Sequence, residues 1–125
     1  MKKHLAILLW SAEPERPHLC GTPFFHAAAA AAMDIEVEMF FTSRSIRLLA
    51  QGVADVIYLG EGKEQSVGEY MRQAHEFGAK FFACSQTMAA HGVSGEMLVP
   101  EVAGHAGAAA FIARALDADW ATLTY

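Results

Sequence analysis

Cysteine is scarce in this chain. Two cysteines in 125 residues cannot build a disulfide framework, so a reducing, cytoplasmic setting is expected. Charge is scarce too. Charged residues make up 18% and apolar residues 54%, so part of the apolar surface is expected to lie against another subunit. Only nine residues are basic, they are scattered, and the formal net charge is −5. A nucleic-acid partner, which needs a basic stripe, is therefore not expected. No apolar run is long enough to span a bilayer, so no membrane association is expected. Leu5 to Trp10 follows Met1-Lys2-Lys3, but it is too short for a leader, and Glu13, Pro14, Glu15 and Arg16 follow directly. Linkers, charge runs and internal repeats are missing, and 125 residues suit one domain, 1–125, with one core. Neither Gly60-Glu61-Gly62 nor Gly104-His105-Ala106-Gly107 carries the Lys-Ser/Thr pair or ribose-binding acid of a phosphate loop. Both read as turns.

What is present alternates. Leu5–Trp10 is an apolar run that reads as a central parallel strand. Thr22-Pro23 reads as a helix start, with Thr22 as N-cap, ahead of an alanine-rich helix from Phe24 to Met33. Ile35–Thr42 is a second strand with a polar end. Ile46 to Gln51 is a short helix, and Val56–Leu59 is a third strand. Ser66 caps a helix from Val67 to Phe77, with Glu69 in the capping-box position. Phe81–Ala83 is a strand, Val99–Val102 is extended, Ala108–Leu116 is a helix, and Trp120–Tyr125 is the last strand. Strands alternating with helices predict an α/β fold: a three-layer sandwich with a five-stranded, mainly parallel sheet.

One joint stands out. Cys84 ends a strand and starts the helix Ser85–His91, which closes on Gly92. In a parallel sheet this joint lies at the ligand-binding edge. The first N–H groups of a helix lack partners and favour an anion, which for a thiol is the thiolate. Cysteine is also among the most buried residue types, so a core role stays open.

The stretch Phe82-Ala83-Cys84-Ser85-Gln86-Thr87-Met88-Ala89-Ala90-His91-Gly92-Val93 resembles the cysteine segment of the DsrE/DsrF-like proteins. His26–Met33 with Val37–Thr42, Ala103–Phe111 and Asp117–Leu123 resemble that family's first helix and second strand, its last helix and its last strand. The resemblance implies the five-stranded sheet between helices, assembly as trimers or hexamers, and sulfur relay. Cys84 would take up a sulfane sulfur as a persulfide, as a sulfurtransferase does, receiving it from a donor protein and passing it to an acceptor protein. No cofactor is implied.

Other residues gather near the same edge. Ser11, Thr42, Ser85 and His105 are ligand-binding candidates, and Gly104 and Gly107 leave the backbone at His105 free to approach a ligand. Cys20 reads as a resolving thiol, a metal ligand or a loop cysteine of no consequence. His18, Cys20 and His105, with His26 and His91 nearby, could hold zinc or copper, although no pair shows a metal-motif spacing, so no metal is expected. Two functions from different classes follow. One is a cytoplasmic sulfur carrier acting through Cys84. The other is a non-catalytic oligomeric module holding a small ligand or metal at the sheet edge.

Overall fold

A computed structural model describes all 125 residues, Met1 to Tyr125. Five strands, β1 (His4–Leu9), β2 (Glu36–Phe41), β3 (Lys80–Ala83), β4 (Val102–His105) and β5 (Trp120–Thr124), form one sheet in the order β4-β3-β2-β1-β5. Every pairing is parallel. Parallel neighbours cannot be joined by a tight turn and need crossover segments. The helices α1 (Thr22–Ala32), α2 (Val67–Glu76) and α4 (Ala108–Ala115) lie in those crossovers, and α3 (Ser85–Met88) is a single turn after β3. The expected α/β architecture with a five-stranded sheet is therefore what forms.

One strand is not where the sequence put it. Val56–Leu59 is no sheet strand: Ala54–Val56 is a 3-10 turn, and Tyr58 makes only an isolated antiparallel bridge to Ser66. The strand is Val102–His105 instead, which begins on the last residue of the extended segment and runs into the stretch Gly104–Gly107 read as a turn. Val56–Leu59 has strand-like composition, but its backbone meets α2, where the Val67 N–H donates to the Ile57 carbonyl at 2.8 Å. Val102-Ala103-Gly104-His105 has poor strand composition, since glycine is depleted in strands. It pairs because β3 presents an open edge, and it does so with a register irregularity between Phe81 and Phe82. The segment read as the helix Ile46–Gln51 is a 3-10 helix from Ser43 to Leu49.

The period of two along each strand divides the side chains between two layers. Ile7, Leu9, Val37, Met39, Phe41, Phe81 and Ala83 face α1 and α2 in the larger core. There the Phe24 ring lies 6.1 Å from Phe41 and 6.4 Å from Phe81, within the range of favourable aromatic pairs. Ala6, Phe40 and Trp120 face the other way in a smaller cluster with Leu8, Phe82 and Phe111. This second face is covered by α4. Arg114 of α4 forks onto Glu38 of β2 at 2.9 and 3.2 Å, and its guanidinium sits 4.2 Å from the centre of the Trp120 ring. That bidentate, stacked contact pins the helix to the sheet.

Local signals behave unevenly. The Glu69 N–H donates to the Ser66 hydroxyl at 3.2 Å, so α2 has its expected cap. At α1 the N-cap is Gly21, not Thr22. The Gly21 carbonyl already accepts from the Phe24 and Phe25 N–H groups, which places Thr22 inside the helix. A Cβ at 21 would meet Leu59 Cδ1 at 2.6 Å, so a larger residue there requires the Leu59 side chain to shift.

Candidate active site

The register of the sheet brings Leu8 of β1 opposite Phe40 of β2, and Phe40 opposite Phe82 of β3. Beyond these residues the chain leaves the sheet at Thr42, Cys84 and Ala106. The start of α4 crosses above, and between them lies a cavity of about 300 Å³. Leu8, Phe40, Ala106, Ala108, Phe111 and Ile112 make its apolar wall, while Thr42, Cys84, Gln86, Thr87 and Gly107 supply the rest. It opens outside the carboxyl ends of parallel strands, where open α/β sheets hold their ligands.

Cys84 is the N-cap of α3. Its N–H continues the ladder by donating to the Phe41 carbonyl at 2.9 Å, which fixes the residue at the end of the strand. The residue is 7% exposed, and what shows lies on the cavity. Burial pushes the thiol's pKa up, and this is the largest single influence. The hydroxyls of Thr42 and Thr87 and the N–H groups of Gln86 and Thr87 outweigh it together, and the thiol titrates below its ordinary value. With the proton in place, the Thr87 hydroxyl donates to the Cys84 carbonyl at 3.3 Å, and the Cys84 thiol lies 3.9 Å from Gln86 Oε1. Thr87 can turn its proton to the sulfur once the thiolate forms.

The cause differs from the one the sequence suggested. The helix after Cys84 is one α turn followed by a 3-10 turn, Ala89–His91, ended by Gly92 at φ +70°. So short a segment carries little macrodipole. Discrete donors, one of them Thr42 from the neighbouring strand, favour the thiolate. No cation assists, and Lys80 sits exposed at the opposite end of β3.

Cys20 is a different thiol. It is wholly buried in the larger core and donates to the carbonyls of Glu13 at 3.4 Å and Arg16 at 3.6 Å. Burial raises its pKa to about 11, so it stays protonated at neutral pH. Of the polar candidates, Thr42 touches both the cavity and Cys84. Ser11, Ser85 and His105 do not line the cavity: Ser85 and His105 are exposed, and the Ser11 N–H is engaged with the Tyr125 carbonyl. His18 is exposed on the 3-10 turn Pro17–Leu19, His26 contacts the Tyr125 hydroxyl, and His91 is half-buried at the end of its 3-10 turn. No three His, Cys, Asp or Glu side chains converge in a set able to hold a metal ion. Gln86 and Thr87 stand in the cysteine segment, but sequence reasoning passed over them. Their places at the second and third residues after Cys84, where N-cap partners fall, were the available signal.

The family model described as DsrE/DsrF-like family matches residues 6–124. The fold is similar to that of the ychN protein from E. coli, with a TM-score of 0.76, 15% identity and 100% of both chains covered. It is also similar to MTH1491 from Methanobacterium thermoautotrophicum, a protein described as of unknown function, with a TM-score of 0.67, 17% identity and 98% of each chain covered. At such identities the likeness concerns the fold alone. No curated protein matches the chain.

Proposed function

The chain belongs to the DsrE/DsrF-like family, which suggests a role related to sulfur relay, and from that premise we propose that it is a single-cysteine sulfur carrier. The observation that carries this is the setting of Cys84: a thiol on a cavity wall, with four donors favouring its thiolate, in a chain whose other thiol is shut in the core. In the loading step the Cys84 thiolate attacks the outer sulfur of a donor persulfide, R–S–SH. The donor S–S bond breaks, the R–S⁻ thiolate leaves, and Cys84–S–SH remains. In the unloading step an acceptor thiolate attacks that outer sulfur, and Cys84 leaves as a thiolate. The thiolate is stabilised by Thr42, Thr87 and the two N–H groups, so the same donors that raise attack in one step ease departure in the other. Nothing is oxidised or reduced overall. Cys20 cannot resolve the persulfide as an intramolecular disulfide because its sulfur faces only backbone carbonyls in the core. The sulfur must therefore go to another molecule, and an acceptor protein is the natural partner. A reducing cytoplasm is the compartment in which Cys84 stays free for this work.

The carrier is proposed to act as a homo-oligomer, a trimer or hexamer. Leu116 on α4 and Trp10 at the end of β1 are large, apolar and more than half exposed, which supports a subunit contact through these residues. Light scattering that finds a monomer at micromolar concentration would refute it. For the carrier itself, the protein is incubated with a persulfide donor, and intact mass and peptide mapping follow. The expected result is a gain of one sulfur on Cys84, absent in Cys84→Ser. A second reading, a binding module for a small apolar ligand, rests on the apolar wall of the same cavity. No sulfur on Cys84 together with saturable ligand binding would favour it.

A further inference from the structure

The lining of the cavity beside Cys84 bears on which sulfur donors can approach the thiol. Its wall contains no Lys, Arg or His side chain. The guanidinium of Arg114, on the helix that borders the cavity, is taken up by both carboxylate oxygens of Glu38 and by the Trp120 ring. His105 immediately precedes the wall residue Ala106 but is exposed and outside the lining. An inorganic dianion such as thiosulfate would have to shed its water against Leu8, Phe40, Phe111 and Ile112 with no counter-charge. It would also approach a sulfur that is itself negative, and like charges at close range repel. A persulfide with an apolar organic group, reacting as the neutral R–S–SH, meets neither obstacle. Its organic group gains by leaving water for the apolar wall. A volume of about 300 Å³ lies at the small end of ligand pockets and accommodates one ring or a short chain.

Resting on the sulfur-carrier reading above, we propose that the donor to Cys84 is a small organic persulfide with no charged group on its organic part, reacting as the protonated R–S–SH, whose apolar group fills the cavity between Phe40, Phe111 and Ile112. The outer sulfur of R–S–SH then faces Cys84. Attack forms the Cys84–S bond, breaks the donor S–S bond, and releases R–S⁻, which takes a proton from water. The departing thiolate carries the only new charge, and Gln86 and Thr87 at the polar side of the cavity are the groups it passes.

The test compares three donors on the full chain: benzyl persulfide, glutathione persulfide and thiosulfate. Initial rates of sulfur gain on Cys84 are read by intact mass and divided by each donor's rate with a free small thiol. The expected result is a normalised rate for benzyl persulfide at least about tenfold above both charged donors, as the cost of burying an unpaired charge dictates. Ile112→Lys places a cation on the wall at a half-exposed position that tolerates it. This variant should narrow or reverse the preference while Cys84 still reacts with iodoacetamide. Equal normalised rates, or faster loading by thiosulfate, would overturn the donor class and leave Cys84 as a sulfur acceptor. No sulfur gain from any donor would overturn the carrier reading and the donor class with it.

Discussion

Thr42→Val removes one hydroxyl from the sulfur of Cys84 and little else. Thr42 sits in extended backbone at φ −134°, ψ 172°, which a β-branched valine adopts readily. Its N–H keeps its bond to the Leu9 carbonyl at 2.9 Å, so the end of β2 stays in place. A hydrogen bond to a charged group contributes about 1.5–3 kcal/mol. Thr87 and two N–H groups remain around the thiolate, so the lower end applies, and about 1.5 kcal/mol corresponds to about a tenfold smaller thiolate fraction at neutral pH. The thiolate that does form is more basic and therefore more nucleophilic, by about threefold for a Brønsted slope near one half. Alkylation of Cys84 should thus slow about threefold at neutral pH and run about threefold faster above both titrations. The two pH profiles must cross. The assay is the rate of iodoacetamide addition to Cys84, followed by peptide mass across neutral to alkaline pH. Profiles that run parallel, or that share one midpoint, would refute the assignment of Thr42 as a donor to the thiolate.

Cys84→Ala should cost no more than about 1 kcal/mol in urea unfolding, because the sulfur borders an existing cavity and its loss opens no sealed void; a cost near 3 kcal/mol would make Cys84 a core residue. The folded pKa of Cys84 is lowered, so its contribution to stability is present above the unfolded pKa and fades as pH falls through the folded one. Thr42→Val should shrink that alkaline gain in the same unfolding series. Cys20 has the opposite sign: its folded pKa is raised from 9.0 to about 11, so stability is full below the unfolded value and falls by about 3 kcal/mol as pH rises through the folded one. The difference in unfolding free energy between the parent and Cys20→Ala, measured across that range, should narrow accordingly, and a constant difference would contradict the burial of this thiol. Ser66→Ala removes the cap on the Glu69 N–H and should lower stability by about 1 kcal/mol with sulfur uptake unchanged, checked by denaturant midpoint and intact mass.

The chain's own residues determined the alternation and the position of the reactive cysteine. Leu5–Trp10 overlaps β1 and Ile35–Thr42 contains β2, because an unbroken apolar run in the first, and alternation passing into an apolar run in the second, are signatures of buried strands. Ser66 with Glu69, and Gly78, bound α2 because capping is a local bond between residues three apart. Cys84 at a strand-to-helix joint was legible for the same reason: the apolar run before it and Gly92 after it lie within a dozen residues.

Tertiary structure decided what depends on residues far apart in the chain. Val102–His105 is a strand only because β3 leaves an edge beside it, and no local propensity foretells an edge. The cavity wall joins Leu8, Phe40, Ala106 and Phe111, which the parallel register and the Arg114–Glu38 clamp bring together from both ends of the sequence. Cys20 and Cys84 are alike as letters in loops near helix starts. They differ because one thiol is enclosed between the sheet and α1 with only carbonyls to meet, and the other is turned to the thinly covered face with hydroxyls and N–H groups around it. Ionisation is set by the solvent and dipoles around an atom. Those are fixed by packing across the whole fold, not by the order of neighbours along the chain.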